Sequence, residues 1–215
     1  MKIIKIAILF IIFFFFALAI YFFIFCPQLP ERMASHWNVA GEVDGHISKF
    51  WGLFLMPLTA LGCFLLFIFI PKIDPLKKNI EKFRKFFDIF IFLFLIYFLY
   101  VYLLTIAWNF GFRFKMARLM APAIGFLFLY CGILIKKTKR NWFIGIRTPW
   151  TLSSDNVWDK THKIGGKLFK IMGMISFLGV IFPDYFLWLL LVPMGIVVLF
   201  ILFYSYLEYQ KEMKE

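Results

Sequence analysis

Apolar residues in this chain come in long unbroken runs separated by polar stretches. They lack the alternating or three-to-four-residue patterns of half-buried strands and surface helices. Ile6 to Phe25, Trp51 to Ile70, Phe87 to Ala107, Leu119 to Ile135 and Tyr185 to Tyr206 each approach the roughly 20 residues a helix needs to cross about 30 Å of hydrocarbon. A sixth run, Leu168 to Phe182, is shorter and carries Lys170. A lysine about one turn inside the boundary snorkels its ammonium back to the headgroups, so this run is also read as a span, with a re-entrant hairpin as the alternative. Pro183 and Asp184 leave room for only a tight turn before the last run. The pattern predicts an all-α integral membrane protein: one domain, residues 1–215, with six transmembrane helices.

Composition agrees, since 63% of the 215 residues are hydrophobic and the mean hydropathy is +0.85, more than a soluble domain's charged surface allows. The first run follows Lys2 and Lys5 as a secretory signal would. It has no small-residue cleavage site, however, and Phe23 and Phe25 stand where a lipoprotein signal ending at Cys26 needs smaller residues. It is read as a retained helix.

Charge sets the expected orientation. With the N-terminus inside, the inner segments hold Lys2 and Lys5, six cations from Lys72 to Lys85, nine from Lys136 to Lys170, and Lys211 and Lys214. The outer segments hold only Arg32, Lys49, Arg113, Lys115 and Arg118. By the positive-inside rule both termini are expected in the cytoplasm. The net charge of +12 then faces anionic lipid of the inner leaflet, which attracts each juxtamembrane cation by roughly 1 kcal/mol, and no direct nucleic-acid binding is expected.

Two polar segments are long enough to carry function. The outer one, residues 26–50, reads CPQLPERMASHWNVAGEVDGHISKF. Pro27 and Pro30 stop the first helix, and Ala40-Gly41 and Asp44-Gly45 supply turn positions, which predicts a compact, turn-rich cap with Trp37 and Trp51 near the interface. His36, Asn38, Asp44 and Lys49 either bind something or satisfy backbone groups of a tight loop. An external His36 that binds is expected to tune binding between about pH 5 and 8.

The inner segment, residues 136–167, contains RNWFIGIRTPWTLSSDNVWDKTHKIGG from Arg140 to Gly166. Arg140 and Arg147 bracket an apolar stretch suited to the headgroup level. Pro149 pushes Thr148 toward an extended conformation, and Arg147 is expected to hold the elbow by binding phosphate or a carbonyl cluster. Ser153 or Ser154 caps a helix whose first turns carry Asp155 and Asp159. Val157, Thr161, Ile164 and Leu168 form one stripe and Lys160, Lys163, Lys167 and Lys170 another, the pattern of a short amphipathic interfacial helix before span five. Gly165 and Gly166 then provide a flexible turn or a close packing point. Such an elbow needs this composition whatever the protein does.

Catalytic patterns are missing. There is no Ser-His-Asp or Cys-His set, paired-carboxylate site, HExxH or phosphate-cradling glycine loop. Cys26, Cys63 and Cys131 form no CxxC pair, and His36 and His46 are expected on the opposite side from His162. No enzyme, cofactor or metal site is expected. Asp88, Arg118, Lys170 and Asp184 all fall near span ends, which lowers the reading of an ion-coupled carrier. Pro57, Pro122 and Pro193 interrupt spans and keep a small transporter or channel open as the alternative, with Arg147 and the lysine stripe as its inner gate.

The two motifs also carry a resemblance. FIGIRTPWTLSSDNVWDKTHKIGG is similar to the signature of the SdpI family of bacterial multi-pass immunity and signalling proteins, and LPERMASHWNVAGEVDGHISK resembles that family's N-terminal domain of unknown function. With the six spans this covers nearly the whole chain. The resemblance implies a bacterial plasma-membrane protein that protects against a secreted toxin peptide and, in some members, recruits a cytoplasmic transcriptional repressor. By position, His36, Trp37, Asn38, Gly41, Asp44, Ser48 and Lys49 are the outer candidates. Gly145, Arg147, Thr148, Pro149, Trp150, Ser153, Trp158, Thr161, His162, Gly165 and Gly166 make up the inner motif.

Overall fold

The computed structural model describes residues 2–214. Helix α1 (Lys2–Phe25) ends before Pro27, and the chain enters an antiparallel hairpin of β1 (Arg32–Trp37) and β2 (Val43–Ser48). Helices α2 (Lys49–Ile73), α3 (Lys77–Asn109) and α4 (Met116–Lys137) follow. After an irregular stretch come the short α5 (Pro149–Ser153), α6 (Asp155–Ser176), α7 (Leu178–Ile181), a 3-10 turn at Pro183–Tyr185, and α8 (Phe186–Glu212).

Six helical stretches are long and apolar enough to cross a membrane. Their outward faces carry bare aromatics such as Phe10, Phe69, Phe126 and Phe203, side chains that suit hydrocarbon and not water. A helix also satisfies its backbone internally, which lipid demands.

The helices pack as two groups with different chemistry. α1, α2 and α3 share a core of bulky side chains in which Phe15, Leu53, Phe83 and Leu95 are almost fully buried. Phe67 meets the rings of Phe87, Phe90 and Phe94 edge-on, contacts worth about 0.5–1.5 kcal/mol each beyond their burial.

The second group, α4, α6 and α8, has only a small apolar cluster around Met172, Val197 and Ile201 and depends on close backbone approach. A Cβ added to Gly132 would lie 2.6 Å from the Gly166 carbonyl oxygen, and one added to Gly166 would lie 2.7 Å from that of Gly132. Gly125 and Gly173 repeat the arrangement about two turns away. Ser176 adds an Oγ hydrogen bond to the Ala121 carbonyl at 2.8 Å. Small residues in register are how helices associate where lipid supplies no hydrophobic gradient between them.

Connections settle which segments meet. At one end Asn109 clasps both the N–H and the carbonyl of Ala34 in β1, and Lys115 pairs with Asp184 at 2.7 Å. At the other end Asp74 accepts the Trp142 amide and Ser154 donates to Glu212 near the end of α8. Lys5 and Lys72 line one cavity at that same end.

Three expectations change. The turn-rich outer cap is a hairpin: Asn38 to Gly41 closes it as a β-turn, with Gly41 at φ 81° and Asn38 Oδ1 accepting the Glu42 amide. α3 begins at Lys77, well before Phe87, because the polar residues from Lys77 to Lys85 extend the helix past the apolar run, and Asp88, near the end of that run, is buried within the helix. Finally, α6 is continuous from Asp155 to Ser176, so the expected short interfacial helix is the first half of span five's own helix. Gly165 and Gly166 lie inside this helix and make no turn; they are the close packing points, Gly166 against Gly132 of α4 and Gly165 against Ile146 of the preceding loop.

Candidate functional site

The outer motif builds one wall of a cavity of about 610 Å³. The hairpin contributes His36, Trp37, Asn38, Gly41 and Asp44, while α2, α3, α4 and the start of α8 contribute Met56, Thr105, Met116, Met120 and Phe186. His36 Nδ1 lies 2.5 Å from Asp44 Oδ1 across the two strands, so the carboxylate fixes the ring. The pairing places His36 opposite Gly45, where an added Cβ would stand 2.8 Å from His36 Cβ. Asn38 Nδ2 donates to Glu42. Trp37 packs edge-on against Trp108, which Arg113 covers at 3.8 Å, and the Trp37 indole N–H has no hydrogen-bond partner among the described residues. The result is a pocket with a polar lip and an apolar floor containing three methionines, side chains that adapt to varied shapes.

Ser48 and Lys49 stand apart from this cavity. Ser48 is exposed at the start of α2, with no side-chain cap bond. Lys49 is buried, and its Nζ donates to the Cys26 carbonyl at 3.0 Å, closing the base of the hairpin onto the end of α1.

The inner motif folds into a braced joint. Asn141 accepts the Phe143 and Ile144 amides and donates to the Lys139 and Ile144 carbonyls, winding the loop around its own side chain. Asp74 and Asn79 then tie this loop to the α2–α3 connection through Trp142 N–H and the Arg140 carbonyl. Gly145 has φ 121°, and a Cβ there would lie 2.5 Å from His162 Nε2 and 3.2 Å from Trp158, so only glycine fits on both counts.

His162 is buried and held at both ring nitrogens. Nε2 accepts the Ile146 amide at 2.9 Å, which leaves Nδ1 to donate to the Trp158 carbonyl at 2.8 Å: the ring is the neutral Nδ1–H tautomer. Trp158, also buried, donates its indole N–H to the Thr138 carbonyl at 3.2 Å. Thr148, extended before Pro149, forms a capping box with Thr151 and donates to Ser205 of α8 at 3.0 Å. Ser154 caps α6, while Ser153 bonds back to the Pro149 carbonyl. Trp150 packs against Tyr206, and Thr161 is buried. Arg147 is exposed and reaches a single carbonyl, that of Trp142, at 2.7 Å.

The sequence motifs omitted the residues that complete both features. Met56, Met116 and Met120 lie within or beside apolar runs and look like lipid-facing side chains in one dimension. Ser205, Glu208 and Glu212 also brace the joint, Glu208 pairing with Lys160 and Lys211. Their signal is weak: three polar groups near the end of an apolar run.

Fold and sites together define a six-helix membrane bundle with a walled cavity at one end and a braced joint at the other. Residues 137–205 match the SdpI/YfhL protein family, and residues 12–61 match a domain of unknown function, DUF1648. The chain is similar to the immunity protein SdpI of Bacillus subtilis (strain 168), with 24% identity over 147 residues that cover 68% of each chain. No solved structure matches. These findings bear out the SdpI-family resemblance carried by the two motifs.

Proposed function

We propose that this chain is a membrane immunity and sensing protein whose outer cavity receives a segment of a secreted, membrane-active toxin peptide. The observation that carries the reading is the cavity itself. Its polar lip of His36, Asn38 and Asp44 over a floor of methionines matches an amphipathic ligand that arrives along the membrane surface. The relative named as an immunity protein supports the same direction. On this reading the end with both termini faces the bacterial cytoplasm, as the lysine and arginine distribution favours.

Protection requires only that the peptide be captured. Signalling to a cytoplasmic repressor requires more: the peptide must bind one packing of the bundle better than another, because a ligand with equal affinity for both shifts nothing. The α4–α6–α8 group is the natural carrier of such a shift, since it runs from Met116 and Phe186 at the cavity to the joint at Trp158 and Ser205.

The test is survival of a sensitive bacterium expressing the protein and challenged with a panel of secreted antimicrobial peptides, beside His36→Ala and Asp44→Ala variants at equal membrane abundance. Selective protection by the parent, lost in the variants, supports the reading. No protection against any peptide, together with solute flux in proteoliposomes that depends on Pro57, Pro122 or Pro193, favours a transporter.

A further inference from the structure

On α6, Lys163, Lys167 and Lys170 stand at i, i+4 and i+7 and share one exposed helix face. Lys136, exposed near the end of α4, joins them. The antiparallel α4 and α6 cross at Gly132 and Gly166, and lysine stems cover that crossing. A Cβ added to Gly166 would lie 3.1 Å from Lys136 Cβ, and one added to Gly132 would lie 2.7 Å from Lys170 Cγ. Four cations are thus gathered where two helix backbones touch, at the end of the bundle that holds the start of α1 and the end of α8.

No carboxylate answers this charge. Among the described residues none of the four lysines is in an ion pair. The nearest acids are engaged elsewhere: Asp159, one turn before Lys163, pairs with Lys139 at 2.8 Å, and Glu208 pairs with Lys160 and Lys211. The cavity between α1, α2 and α3 at the same end differs, because Glu81 and Asp88 there balance Lys5, Lys72 and Arg84. Beyond Lys170 the exposed face of α6 turns apolar, with Ile171 and Met174 bare. Lys170 itself lies within the fifth span, so an anion that reaches it belongs to the bilayer. A negative head over apolar tails fits this gradient.

We propose that the α4–α6 crossing is a specific site for a lipid with two separate phosphates, diphosphatidylglycerol. Basic surfaces between membrane helices suit such head groups. Lys163 and Lys170 are seven residues apart, about 10 Å along the axis, which is more than one phosphate can bridge. Two phosphates joined through glycerol meet both ends of the patch, and the acyl chains run along Ile171 and Met174. The bound lipid would hold α4 against α6 through Lys136 and Lys170. This goes beyond the general attraction of anionic lipid to basic flanks, which asks only for charge.

Native mass spectrometry on the full chain in detergent tests this, with diphosphatidylglycerol, phosphatidylglycerol and a polyprenyl diphosphate supplied at equal phosphate. Phosphatidylglycerol carries the same phosphate unlinked, and the polyprenyl lipid carries two phosphates at one point. The expected result is retention of diphosphatidylglycerol about tenfold above either other lipid, a difference of about 1.4 kcal/mol. Replacing one lysine on each helix, Lys136→Gln with Lys170→Gln, should bring diphosphatidylglycerol down to the level of phosphatidylglycerol while lipid-free melting stays that of the parent. Lys77→Gln with Lys78→Gln removes as much charge from exposed positions at the start of α3 and should keep the preference. In the parent, equal retention at matched phosphate, or stronger retention of the polyprenyl lipid, would overturn the proposal. So would an α4–α6 variant that binds like the parent, or an α3 variant that loses the preference as fully.

Discussion

His162 lies flat against Trp158 one helical turn away, ring centroids 3.9 Å apart and planes 17° from parallel, while its Nε2 holds the amide of Ile146 in the preceding loop. One side chain thus closes the joint between the irregular segment and α6. His162→Ala removes the acceptor from a buried N–H and leaves a void beside Trp158. The expected loss of stability is about 2–4 kcal/mol. His162→Gln keeps an acceptor and should lose clearly less. Thermal unfolding in detergent, followed by tryptophan fluorescence, checks both. Equal melting of His162→Ala and the parent would refute the role.

Gly145→Ala tests the other half of the same contact. The new methyl group meets His162 Nε2 and Trp158, and alanine at φ 121° is strained whatever the space. The variant should lose about 1–3 kcal/mol, and adding His162→Ala should cost less than the two single effects combined, since both damage one contact. Full additivity would show that the two residues act separately.

The helix interface makes a prediction with its own control. Gly166→Ala places a Cβ 2.7 Å from the Gly132 carbonyl oxygen, so α4 and α6 must move apart, and an overpacked interface costs about 1–3 kcal/mol. Gly195→Ala in α8 meets nothing within 4 Å and should be neutral or slightly stabilising. Comparing the melting of the two variants separates helix packing from helix propensity.

These positions also show where sequence reading reaches its limit. Span number was legible because length and hydropathy are summed over about 20 residues and survive local error. Thr148 was legible as extended, and a cap as falling at Ser153 or Ser154, because neighbours in sequence impose both. The role of Gly166 was not, since its partner Gly132 is remote and glycine at a close approach reads the same as glycine at a bend. The start of α3 was missed for a related reason: hydropathy marks where a helix enters lipid, not where the helix begins. In the outer motif, His36 and Asp44 could be singled out by type. Met56, Met116 and Met120, which line the same cavity, lie in or beside runs where apolar residues are the rule.

Not every visible ion pair matters. Lys115 and Asp184 join the α3–α4 and α7–α8 connections, but their side chains are 51% and 59% exposed, and pairs of that kind contribute about 0–1 kcal/mol. Asp184→Asn should melt within about 0.5 kcal/mol of the parent. A larger drop would mean that this link holds the cavity end together, which would shift attention from the hairpin to α8.

The cavity can be tested without touching its polar lip. Met120→Trp adds a larger side chain to the floor, while His36, Asn38 and Asp44 keep their own contacts on the hairpin. If a peptide segment occupies this space, the variant should need about tenfold less toxin for the same killing, corresponding to about 1.4 kcal/mol of lost affinity. The hairpin should stay folded, because its register rests on β1–β2 pairing and the Asn109 clasp and not on Met120. Proteolysis of intact cells at the hairpin therefore provides the control. Unchanged protection with an unchanged digestion pattern would place the peptide elsewhere, whereas lost protection with a newly cleaved hairpin would show only that the cap had been displaced.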